Sequence, residues 1–183
     1  MKLKTLLLAV TTSIAICTMP LVSYANVSKN VSVQAEEQQE VIFKVPYGSE
    51  KNEVGFTPDS EGIMGTGVTS FFVKKEHFYL LDNQNKRLSI MDKSGSLSSL
   101  LDLDYALWLE DLLVTDENVI FVLDSGARKV YEINNEGKVL KEFDVPKQIE
   151  IPTGLGQTSD GRIYVDQAQD IQATLVSNEK ALT

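Results

Sequence analysis

The 183 residues include one cysteine, one histidine and one tryptophan, and acidic side chains outnumber basic ones, 26 to 17. Each scarcity removes a class of function. With Cys17 as its sole cysteine the chain forms no internal disulfide and no cysteine metal cluster. His77 stands between Glu76 and Phe78, where no serine or aspartate can be argued to be its partner, so a histidine-dependent triad is not expected and no catalytic residue is assigned. A net charge of −9 argues against nucleic acid, because phosphate binding depends on clustered Lys and Arg. The stretch Gly62 to Gly67 lacks the Lys-Ser/Thr of a phosphate loop and reads as a turn. Helical periodicity is weak throughout, so the chain must be built from something other than helices.

The N-terminus has the layout of a secretory signal. Lys2 and Lys4 give a basic start, and Leu6 to Ile16 is an apolar run too short to span a bilayer comfortably. Ser23 and Ala25 supply the small residues that signal peptidase prefers, which places the cut after Ala25, the mature start at Asn26, and the protein outside the cell with no membrane span. Cys17 is not read as a lipid-anchored residue, since bulky Ile16 precedes it. Residues 26–40 are polar, with too little apolar surface to offset their ordering entropy, and read as a flexible leader. Residues 41–183 are enough for one domain.

That domain repeats. Three apolar runs end in an aspartate at a constant interval of 42: Phe78 to Asp82, Ile120 to Asp124, and Arg162 to Asp166. The same shift places Lys86 on Arg128, Gly95 on Gly137, and Phe71 on Leu113 and Leu155. Within the first copy, short β-runs cover Val68 to Val73, Phe78 to Leu81, Arg87 to Met91 and Leu97 to Leu103, divided by turn residues such as Lys93-Ser94-Gly95. A four-stranded unit repeating at this length is the signature of a propeller blade. The predicted fold is therefore all-β: a partial, half-ring β-propeller of about three four-stranded blades, near 67–104, 105–146 and 147–183.

The recurring hydrophobic-aromatic-hydrophobic-hydrophobic-Asp run, polar turn, basic residue, apolar strand and Gly, with Pro152-Thr153-Gly154-Leu155 and Asp160-Gly161 in the third copy, resembles NHL-type and related six-bladed propellers. The resemblance covers about two thirds of the chain, from Gly67 onward, and speaks for fold rather than activity. Repeats without a catalytic constellation point to a secreted module binding a protein, a peptide or a cell-wall polymer. The alternative, which the resemblance implies, is a metal-dependent hydrolase like the lactonases of six-bladed folds. Val41 to Pro46 resembles Glu142 to Pro146, the outer strand and exit of a blade. An open half-ring leaves blade faces uncovered at both ends. A second chain closing a six-bladed ring, truncation of a longer product, and capping by the leader are three ways to account for that, and the eroded third copy favours truncation.

In a propeller the loops between second and third strands and those joining blades open on one face. That face gathers Trp108, Glu110 and Asp111 between blades, Arg128 in the second copy, and Asp166 and Asp170 in the third. Asp82 with Lys86 and Asp124 with Arg128 read as a repeated structural brace, in which the aspartate accepts turn backbone N–H groups and pairs with the basic residue four positions on. Asp166 and Asp170 lack that partner and, with Gln167 and Gln169, offer oxygen ligands of the kind Ca²⁺ takes. No EF-hand loop accompanies them and no cofactor is assigned. Trp108 is expected to pack between blades or to stack on a ligand.

Overall fold

A computed structural model of the chain describes residues 5–9, 41–62, 64–167 and 170–177. The cleavage position after Ala25 and the leader 26–40 lie outside the described residues, as does Cys17. Among the described residues there is no helix. The strands are β1 (Thr5–Ala9), β2 (Val41–Pro46), β3 (Val68–Lys74), β4 (His77–Asp82), β5 (Arg87–Asp92), β6 (Leu97–Asp102), β7 (Leu109–Val114), β8 (Ile120–Asp124), β9 (Lys129–Ile133), β10 (Val139–Asp144), β11 (Pro152–Gln157), β12 (Ile163–Gln167) and β13 (Asp170–Ser177).

Sequential antiparallel pairing gives two four-stranded meanders, β3-β4-β5-β6 and β7-β8-β9-β10, and a third sheet with three described strands, β11-β12-β13. The first strands of the three sheets lie side by side, β3 beside β7 and β7 beside β11, so the sheets radiate from a shared inner edge as propeller blades do. The expected partial propeller is therefore the architecture, with three strands of the third blade among the described residues. Thr5–Ala9, within the expected signal, runs antiparallel to β2.

Apolar layers hold the blades face to face. Leu81, Leu88, Leu101 and Leu103 of the first blade pack against Leu112, Val114, Val122 and Ile133 of the second. Leu113, Phe121, Leu123 and Val130 of the second meet Ile163 and Val165 of the third. A third layer was not expected. Phe43, Val45 and Val54 bury themselves on Phe78, Leu80 and Met91, and the ring of Phe43 sits edge-on to Phe78 at 4.9 Å. The segment 41–54 thus takes the place of a preceding blade's outer strand and covers the first blade's outer face. Val45, Leu103 and Val145 are the buried residues where each outer strand exits. At about 1.5–3 kcal/mol for each fully buried aliphatic side chain, these layers are the main source of stability in a fold without disulfides.

The turns follow from backbone conformation. The hairpins joining first to second strands carry left-handed residues Lys75, Asn118 and Gly161, and those joining third to fourth strands carry Gly95 and Gly137. Lys86 and Arg128, which end the loops between second and third strands, are also left-handed, at φ 51° and 55°. Only a few per cent of non-glycine residues adopt this region, so a repeated occurrence at one position points to side-chain contacts that hold it.

The third blade departs from the 42-residue register. Leu123 pairs with Asp111 and Asp124 with Leu109, whereas Asp166 pairs with Gly154 and Gln167 with Pro152. Gln167, not Asp166, therefore occupies the place of Asp82 and Asp124, and the inner strands superpose Phe71 on Leu112 and Leu155 rather than on Leu113. Asp170 is paired with Gln167, as Arg87 is with Asp82 and Lys129 with Asp124. By this pairing it stands at the register of Arg87 and Lys129 rather than of Lys86 and Arg128. The side chain of Asp170 is outside the described residues, and so is its expected joint site with Asp166.

Candidate functional site

At one end of the blades the second strands finish on acceptors that hold the loop entering each blade. Asp82 Oδ2 accepts the backbone N–H of Gly55 at 2.9 Å, and its carboxylate also accepts the Asn85 backbone at 3.1 Å and amide at 2.7 Å. Asp124 accepts Leu107 N–H at 2.7 Å, Trp108 N–H at 2.9 Å and Ala127 N–H at 2.8 Å. In the third blade Gln167 Oε1 accepts Glu150 N–H at 2.8 Å. Both aspartates are fully buried. A carboxylate can be kept there because N–H donors replace the water it has lost.

The expected brace exists, but its partner differs. Lys86 does not pair with Asp82. Its Nζ donates to Asn83 Oδ1 at 2.9 Å and to the Leu107 carbonyl at 2.7 Å, in the loop that enters the second blade. Arg128 likewise donates to the carbonyls of Glu150 at 3.0 Å, Pro146 at 3.3 Å and Ile149 at 2.5 Å, in the loop that enters the third. The left-handed backbone turns each basic side chain away from its own aspartate and toward the next blade. Asp82 instead forms an ion pair with Arg87 at 3.3 Å, and Arg87 Nη atoms reach the carbonyls of Ser49, Glu50 and Glu53.

These contacts bring the loops between second and third strands together with the blade-entry loops on one face, where Trp108, Glu110 and Arg128 lie. Trp108 is half covered rather than sealed between blades: 41 % of it is exposed, with Lys86 Nζ 6.0 Å from the ring centroid. Glu110 accepts the Ser125 hydroxyl at 2.9 Å. Asp111 sits on the inner strand β7 and ties all three blades, accepting the Ser70 hydroxyl of β3 and the Leu155 N–H of β11 at 2.7 Å. Asp166, displaced by the register shift, lies beside it. A Cβ placed on Gly154 would be 3.4 Å from Asp166 Oδ2 and 3.7 Å from Asp111 Oδ2, so the glycine leaves a methyl-sized gap between two carboxylates.

His77 lies at the opposite end of the first blade, exposed, at the start of β4. Among the described residues no three acidic, histidine or cysteine side chains converge as a metal ion would require. Sequence reasoning missed the entry-loop apolar residues Phe56, Leu107 and Ile151. Each directly follows, or is itself, a residue whose N–H is held by the strand-end acceptor. Their signal was present as apolar residues in otherwise polar linkers, but only the braces show that they share a face.

No protein-family model and no curated protein matches the chain. Among solved structures it is similar to virginiamycin B lyase from Staphylococcus aureus, at 16% identity and a TM-score of 0.52 over 62% of this chain and 39% of that one. It is also similar to a streptogramin B lyase, at 13% identity and a TM-score of 0.52 over 74% and 42%. The chain thus spans about two fifths of the length of these structures. At such identities the likeness shows the β-propeller fold alone.

Proposed function

We propose that this chain is a secreted binding module of the NHL-like, six-bladed propeller kind, exported by a signal cut after Ala25, whose loop face docks a protein or peptide. One observation carries the reading. Every blade-entry loop presents an apolar side chain to solvent beside its brace: Phe56 at 38 % exposure, Leu107 at 66 %, Trp108 at 41 % and Ile151 at 60 %. A scattered exposed Leu needs no explanation, but the same placement in three successive loops forms a rim, and aromatic and aliphatic anchors on a rigid frame are what interface centres are made of.

The braces bear on this directly. An apolar loop residue held by hydrogen bonds from a buried acceptor loses less entropy on binding than one on a mobile loop. The test is retention of secreted proteins and of cell-wall fractions on immobilised wild-type chain and on a Leu107→Ser/Trp108→Ser variant. The reading expects a protein retained by the wild type and lost at least about tenfold by the variant. Retention of cell-wall polymer alone, or protein retention indifferent to the variant, would overturn it.

A further inference from the structure

The charge on the loop face is unevenly available. Three of its cations are committed to backbone carbonyls, Lys86 to Leu107, Arg87 to Ser49, Glu50 and Glu53, and Arg128 to Pro146, Ile149 and Glu150, while Lys51 and Lys147 lie exposed on the outer side of the entry loops. Each of the three holds a loop in place, so displacing one to meet a ligand would release that loop. The carboxylates of Asp111, on the inner strand β7, and of Asp166, on β12, instead flank Gly154 of β11, whose missing side chain leaves a methyl-sized gap between them. Among the described residues neither has a cationic partner; Asp111 is held by a hydroxyl and a backbone N–H. The whole chain, at −9, adds a long-range field of the same sign.

An apolar rim backed by two carboxylates that have no cationic partner among the described residues fits a cationic ligand. We propose that the loop face docks a cationic amphipathic peptide segment, whose apolar side chains seat on Leu107, Trp108 and Ile151 while a Lys or Arg side chain reaches the carboxylates of Asp111 and Asp166 beside Gly154. This rests on the docking reading above and specifies its partner. Position 154 is where discrimination is set. The equivalent inner-strand positions carry Ser70 and Asp111, and only the third has no side chain to fill the space.

The sole tryptophan, Trp108, reports on the rim directly. Titrating the full chain with a lysine-leucine amphipathic peptide free of aromatic residues should give a saturable change in Trp108 emission. Its Kd should be at least about tenfold below that of the glutamate-leucine counterpart. Gly154→Ala and Asp166→Asn should each weaken the lysine peptide several-fold while leaving the circular dichroism spectrum unchanged. Equal affinity for the two peptides, lost together in the Leu107→Ser/Trp108→Ser variant by calorimetry, would overturn the cationic specificity while the docking surface stood. No binding of either peptide by emission or calorimetry would overturn the inference, and the protein-retention experiment then separately decides the docking reading.

Discussion

The residue that does most for this fold is a buried aspartate at the end of a strand. Asp124 accepts three backbone N–H groups from two loops, so Asp124→Ala would leave three donors without a partner. At about 1–3 kcal/mol for each buried unsatisfied group, that variant should lose more than about 3 kcal/mol of stability in urea unfolding, and Asp124→Asn, which keeps one acceptor oxygen, should lose less. The sequence showed that this aspartate recurs and that it accepts turn backbone N–H groups, as Asp82 does from Asn85 and Asp124 from Ala127, but not that it holds the blade-entry loop. Spacing suggested the basic residue four positions on, whereas the left-handed backbone at Lys86 and Arg128 aims those side chains at the following blade. A positive φ at a non-glycine residue leaves no mark in composition, so this contact was not legible. At the far end of the first blade, the Ser94 hydroxyl, and after it the Ser96 N–H, hold the Asp92 carboxyl below the usual carboxylate range. A carboxyl lowered by folding contributes stability above its unfolded pKa and loses it as pH falls through the folded value. Asp92→Asn should therefore flatten the acid side of the stability-against-pH profile measured by thermal melts.

Among the elements, β12 separates sequence periodicity from structural register. The strands and turns of the first blade were legible almost residue by residue, because short apolar runs bounded by Gly, Asn and Asp leave few alternatives. In the third, Asp166 falls 42 residues after Asp124 and so looks equivalent, yet pairing places Gln167 at the brace. Side chains alternate along a strand, so a shift of one residue moves Asp166 off the brace and toward Asp111. The expected outcome is opposite for neighbouring residues. Gln167→Ala should cost about 0.5–1 kcal/mol by removing a hydrogen bond to the exposed Glu150 N–H, whereas Asp166→Asn should change stability by less than about 0.5 kcal/mol. Equilibrium unfolding of the two variants checks this, and the reverse order would restore the uninterrupted register.

For the molecule as a whole, the layered cores explain how an incomplete ring is stable along part of its edge. Phe43, Val45 and Val54 close the first blade's face, which the resemblance of Val41 to Pro46 to a blade's outer strand hinted at without saying which blade it would meet. Phe43→Ala should cost about 3–5 kcal/mol in thermal or urea unfolding. Strand-end acceptors, two of them buried aspartates, hold the blade-entry loops rigid, so that the apolar rim is organised before any ligand arrives. Residue-resolved amide hydrogen exchange tests it most directly. The backbone N–H groups of Gly55, Leu107, Trp108 and Glu150, although they belong to loops, should be protected to within about tenfold of the strand amides of their own blades. Exchange of these four as fast as the exposed turn at Asp116 and Glu117 would contradict it.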